Sequence, residues 1–116
     1  MSEQFNKMIV EGRLTKNPVF VQDNPERQKC TFSIANQRKG DHVNFFSVTA
    51  WGKKAEICRD NLCKGRHVLI EGELFWSKYT QRGADHETTF IGIRLETIRF
   101  LDERSKYESK ENTSQN

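Results

Sequence analysis

From Asn44 to Trp51 the chain alternates strictly, with Phe45, Ser47, Thr49 and Trp51 on one face of an extended segment and Phe46, Val48 and Ala50 on the other. The even face is uniformly apolar and compact, as a core requires. The odd face sets two large rings apart with two hydroxyls between them. Such a face suits a flat partner that stacks on rings and hydrogen-bonds in the gaps, which describes unpaired nucleic-acid bases. It equally suits a second hydrophobic layer or a subunit contact.

The same period recurs on both sides of this segment. Met8, Val10, Gly12 and Leu14 share a face; Asn17-Pro18 interrupts, and Val19-Phe20-Val21 continues the strand past a bulge or turn. The polar, proline-containing run Asp23 to Lys29 predicts a loop, and Cys30 to Asn36 a strand with Phe32 and Ile34 inward. A short basic turn, Arg38 to His42, then joins this strand to the one described first as an antiparallel hairpin. Lys53 to Lys64 reads as one short helix, because Ala55, Cys58 and Leu62 form a narrow apolar stripe and Gly65 is placed to end it.

Beyond the helix, His67 to Leu74 places Val68, Ile70, Gly72 and Leu74 on one side and Leu69, Glu71 and Glu73 on the other. Extending the second parity reaches Phe75, Ser77 and Tyr79. A glycine on the packed face predicts a strongly bent strand, as closure of a small barrel requires. Thr80 to His86 is a hairpin tip, and Thr88 to Leu95 a last strand that Ile98, Phe100 and Leu101 extend or close. From Asp102 onward only Tyr107 is a large apolar residue, which predicts a disordered tail over 102–116 behind a folded domain over 1–101. Three strands, one helix and two strands is the layout of an all-β, five-stranded OB-fold barrel with a short helix between strands 3 and 4.

Composition agrees with a single small domain. The 116 residues are 34% hydrophobic and 30% charged, so the core is thin and the surface strongly solvated. The net charge is +3, and residues 1–101 hold +4 of it against −1 in the tail. A mildly basic body with exposed rings favours a polyanion partner. No apolar run reaches membrane-spanning length and the N-terminus lacks the layout of a secretion signal, so a cytoplasmic, nucleoid-associated protein with no membrane partner is expected. Cys30, Cys58 and Cys63 are an odd number at spacings that make no disulfide framework. Cys58, Cys63 and His67 offer three metal ligands where a closed zinc site needs four, and the thiols read as small hydrophobes. Asp85, His86 and Glu87 sit where polar turn residues are the default. With no nucleophile-and-base pair or phosphate-binding glycine loop, neither catalysis nor a cofactor is expected.

Five segments together resemble the bacterial single-stranded DNA-binding protein family: Asn6 to Leu14 with Asn17-Pro18, Phe32 to Ala35, Trp51-Gly-Lys-Lys-Ala-Glu56, Leu62 to Gly65, and Val68 to Leu74. The resemblance covers roughly residues 6 to 101 and implies an OB-fold protomer, usually a homotetramer. Such a protein coats single strands without sequence preference in replication, recombination and repair. Carried over by position, Phe45 stands where the family usually has a tryptophan, Trp51 where it has a phenylalanine, and Tyr79 where it has a second tryptophan. Lys53, Lys64 and Lys78 match basic positions. Arg38, Lys39 and Arg82 lie on the loops flanking the implied groove, and Phe75 and Trp76 are extra rings. The basic turn is shorter than the family's loop and lacks its tryptophan.

The family's acidic tip ending in phenylalanine, which recruits replication and repair proteins, has no counterpart in the closing Ser-Gln-Asn. That departure fits a trimmed paralogue or an element-encoded form that only coats DNA. A protein-interaction module on the same barrel, resembling the replication-restart primosome component, is the alternative.

Overall fold

The computed structural model describes residues 4–24, 26–80, 82–83 and 85–102. Strands β1 (Met8–Leu14), β2 (Val19–Asn24), β3 (Arg27–Gln37) and β4 (Val43–Trp51) precede helix α1 (Lys53–Asn61), and β5 (His67–Thr80) and β6 (Glu87–Phe100) follow it. β1 and β2 lie end to end along β3. Leu14 faces Ile34 and Val19 faces Thr31, so the Thr15 to Pro18 turn carries two residues more than the β3 segment it spans. They act as one interrupted strand, as the Asn17-Pro18 break predicts.

Pairing runs β1 to β5, β5 to β6, β6 to β4, β4 to β3 and β3 back to β1. The sheet is therefore closed on itself by five strands, all antiparallel except for a short parallel contact at Val48 with Ile93 and Thr49 with Arg94. With the helix after the third strand, this is the OB-fold layout expected from the sequence.

Closure forces backbones together at two glycines. A β-carbon on Gly12 would stand 2.6 Å from the Ala35 carbonyl oxygen, and one on Gly72 would fall on the Arg94 carbonyl. Opposite Gly72, Glu96 is left unpaired as a bulge between Leu95 and Thr97, which bends β6 around the barrel. Inside, Val10, Leu14, Phe32, Ile34, Val48, Val68, Ile70, Ile93 and Leu95 form the core, and α1 covers one end with Ala55, Cys58 and the adjoining Leu62. The inward parity predicted for Phe32, Ile34, Val48, Val68 and Ile70 is observed.

Two expectations are corrected. The Asp23 to Lys29 segment is mostly strand: β2 reaches Asn24 and β3 begins at Arg27, with the Asn24 side chain accepting the Glu26 N–H at 2.8 Å. Local polarity signals solvent rather than a loop here, because both strands are edge-exposed at this tip. The helix also ends sooner than Lys64. Leu62 is already extended at φ −102° and ψ 148°, turning its side chain into the core, and Gly65, at φ +88°, serves the following turn.

Asp102 is the first residue assigned to the tail by composition, and it is packed into the fold. Its carboxylate accepts the Arg66 guanidinium at 3.2 Å and the His67 backbone N–H at 3.0 Å. Arg66 in turn donates to the Asn61 carbonyl at 2.6 Å and lies 4.4 Å from the centre of the Phe100 ring. This buried latch ties the end of β6 to the start of β5 and to the helix C-terminus. The rest of the predicted tail, 103–116, lies outside the described residues.

Gly72→Val is expected to cost more than about 3 kcal/mol, since the clash is with backbone that cannot rotate away; the loss of a cooperative thermal transition in circular dichroism checks it. Burial alone would raise the Asp102 pKa, but the hydrogen bonds from His67 and Arg66 and the guanidinium charge outweigh it and hold the carboxyl below its ordinary value. A carboxylate depressed in the folded state stabilises above its unfolded pKa of about 3.9 and loses that contribution as pH falls through the folded value. Urea melts from pH 7 down to about pH 2 should therefore show wild type losing its advantage below about pH 4 while Asp102→Asn changes less. At pH 7 the variant should be weaker by about 3 kcal/mol.

Candidate nucleic-acid interface

The outer surface of β3 and β4 is built by register. Directly opposed residues share a face, so Lys29 stands beside Trp51, Thr31 beside Thr49, Ser33 beside Ser47 and Ala35 beside Phe45. Phe45 is 67% exposed and Trp51 47%, so both rings are open to a partner. Between them Ser47 is partly open, whereas Thr49 is buried among its neighbours on β3 and β6. One of the two predicted hydroxyls is thus withdrawn from the surface. The face continues onto β2 through Val19 and Val21, opposite Thr31 and Lys29.

An open depression of about 330 Å³ lies on this surface, lined by Thr15, Lys16, Asn17, Val19, Thr31, Phe32, Ser33 and Ser47. Lys64 adjoins it, because its backbone N–H donates to the Asn17 side chain at 2.8 Å. Lys53 is exposed one turn-residue beyond Trp51, and Arg38 and Lys39 sit in the turn after the Ala35–Phe45 end of the ladder. Phe45 and Trp51 therefore stand near the two ends of one register-built face, with Arg38 and Lys39 in the turn past one end, Lys53 just past the other and the Lys64 backbone fastened to Asn17.

The β5–β6 hairpin carries the other predicted residues and divides them. Phe75, Ser77 and Tyr79 have the outer parity, and Tyr79 is 49% exposed. Phe75 is partly buried against Phe90, their ring centres 5.9 Å apart and tilted by 50°, over a glycine at position 92 whose β-carbon would meet both rings. Phe75 therefore spends much of its ring on packing the hairpin. Trp76 and Lys78 point to the opposite side, and Arg82 is exposed at the tip.

Charges separate in the same way. Among the described residues Lys7, Arg59, Arg66, Lys78 and Arg94 lie within 4 Å of carboxylates, of Glu71, Asp60, Asp102, Glu87 and Glu73 respectively. Arg38, Lys39, Lys53, Lys64 and Arg82 make no such pair among those residues. Lys29 also makes none, and its ammonium stands 5.6 Å from the centre of the Trp51 ring.

Lys16, Val19, Val21 and Lys29 are the members of this surface that sequence reasoning missed. The signal was present for Lys29, whose parity continues through Thr31 and Ser33. It was masked by assigning Asp23 to Lys29 to a loop. Cys30 and Cys58 are fully buried, and burial, with the neighbouring Cys30, pushes the Cys58 thiol up to about 12. Both behave as packed hydrophobes.

The chain is similar in sequence to several curated bacterial proteins. A single-stranded DNA-binding protein 2 from Chlorobaculum tepidum is 38% identical over 89% of this chain and 75% of its own length. A single-stranded DNA-binding protein from Treponema pallidum is 35% identical over 67% of this chain and 48% of its own, so the chain spans about half of that relative. A single-stranded DNA-binding protein 1 from Streptococcus pyogenes is 30% identical over 97% of this chain and 88% of its own. Residues 5–101 match the single-strand binding protein family, which takes in every strand and the helix described above, and the chain belongs to that family.

Proposed function

We propose that this protein binds single-stranded DNA without sequence preference and without catalysis, in replication, recombination and repair. The observation that carries the reading is the pair of exposed rings, Phe45 and Trp51, on one register-built face beside Lys29, which makes no ion pair among the described residues. Family membership supports the same conclusion and does not favour the alternative of a primosome interaction module. Rings stack on bases for about 1–3 kcal/mol each, whatever the base, because every base has a π-face. Phe45, Trp51 and Tyr79 are the platforms in this reading.

Arg38, Lys39, Lys53, Lys64 and Arg82 neutralise phosphates, joined by Lys16 and Lys29 from the same surface. Each contact releases counterions, so affinity falls with salt. Phe75 contributes through the hairpin it packs. A handful of cations per protomer gives modest binding, and a homotetramer supplies the avidity. The cytoplasm is the expected compartment; no helix among the described residues is long and apolar enough to cross a membrane.

In an anisotropy titration with oligo(dT) at fixed salt, Phe45→Ala, Trp51→Ala and Tyr79→Ala should each weaken binding by about 5-fold to 150-fold while leaving the salt slope unchanged. Lys53→Ala and Lys29→Ala should instead reduce the slope of log K against log salt by about 0.7 each. Equal affinity for duplex and single strands, or no binding of either, would overturn the reading. Static light scattering of the free protein should report four copies.

A further inference from the structure

The β5–β6 hairpin outruns the closed sheet, and past that point both of its faces meet solvent. The outer one carries Tyr79. The other continues the parity of the barrel interior, with Leu74, Trp76 and Lys78 on β5 and Ile91 on β6 opposite Trp76. Beyond the barrel edge there is no core for that parity to fill. Leu74 is 42%, Ile91 61% and Trp76 63% exposed.

We infer that this reverse face is a second stacking subsite for single-stranded nucleic acid, with Trp76 as the platform and Lys78 as its phosphate contact. The inference rests on the proposed function and extends its track. The chain has two tryptophans. Each carries a lysine ammonium at nearly the same distance, Lys29 at 5.6 Å from the centre of Trp51 and Lys78 at 5.8 Å from the centre of Trp76. The module of an open indole with a cation on it is thus repeated on the far side of the ribbon.

Lys78 also lies 3.8 Å from the Glu87 carboxylate, with both side chains more than half exposed, and a pair of that kind yields readily to a phosphate. The cation sits on the ring itself, while the acids Asp85 and Glu87 stand at the tip and its first rung.

A subunit contact fits this face less well. Three apolar side chains on a ribbon two strands wide fall short of the roughly 800 Å² per partner that a stable interface buries. A polynucleotide needs only one ring and one cation per nucleotide. Neighbouring strands lie about 4.8 Å apart, so a strand leaving Tyr79 has a short edge to cross before reaching Trp76.

The two tryptophans give a direct test with the whole chain. Trp76→Phe leaves Trp51 as the reporter, and Trp51→Phe leaves Trp76. Titrated with dT oligomers of increasing length, Trp51 emission should be quenched by short and long oligomers alike. Trp76 emission should be quenched only by oligomers long enough to pass the ribbon edge. Lys78→Ala should lower the salt slope by about 0.7 with long oligomers and leave it unchanged with short ones. If Trp51 responds and Trp76 is silent at every length, the second subsite is wrong and the proposed function stands. If neither responds, both fail. A Trp76 emission that is blue-shifted before any DNA is added and changes on dilution would assign the face to a contact between copies and overturn the inference.

Discussion

Closing a five-stranded sheet onto itself requires strands to cross more tightly than side chains allow, and the molecule solves this at two places by having none. Gly12 lets β1 approach the Ala35 carbonyl, and Gly72 lets β5 approach the Arg94 carbonyl beside the Glu96 bulge. β1 is the strand on which closure turns, since it pairs with β5 along most of its length and meets β3 only at Arg13 and Leu14. The Asn36 side chain extends that junction by donating to the Glu11 carbonyl at 2.8 Å, and Asn44 steadies it by donating to Asn36 at 3.3 Å. Side-chain amides thus bridge the gap where the backbone ladder stops.

Once the ring is closed, inside and outside are no longer interchangeable. Each strand's alternation is pinned, because a slip by one residue would send Ile34, Val48 and Ile70 into water and Phe45 and Trp51 into the core. The β5–β6 hairpin is where that rule lapses. Its barrel half obeys the parity, with Val68 and Ile70 buried; its outer half has two wet faces, and the neighbours Phe75 and Trp76 meet different fates there. Phe75 finds Phe90 across a glycine that offers no side chain, while Trp76, opposite Ile91 and beside the Lys78 ammonium, stays mostly exposed.

Much of this was readable from the chain. Strict alternation fixed the faces of β1, β3, β4 and the first half of β5, and the order of elements pointed to the fold before any pairing was known. The resemblance, more than periodicity, singled out Tyr79, since nothing in a polar hairpin marks one ring as a platform. What escaped was cross-strand. Val21 joins the surface only through the β2–β3 register, Lys29 stands beside Trp51 through the β3–β4 register, and Thr49 is buried by residues distant in sequence. Helix length was overestimated because Leu62 keeps the helical spacing of Ala55 and Cys58 while its backbone has already straightened. Asp102 looked like tail because charge counts as solvent-seeking, and only the partner Arg66, 36 residues away, makes it part of the fold.

The thiols carry a practical corollary. Cys30 and Cys58 are sealed in the core, and the Cys58 thiol, pushed up to about 12, offers almost no thiolate at neutral pH. Cys63 alone is partly open, and it directly precedes Lys64, whose amide is fastened to Asn17 at the rim of the depression. A maleimide dye would therefore find one address on the native protomer. The natural sequence thus holds a built-in attachment point for a fluorophore at the margin of the proposed binding surface, with no engineered cysteine needed.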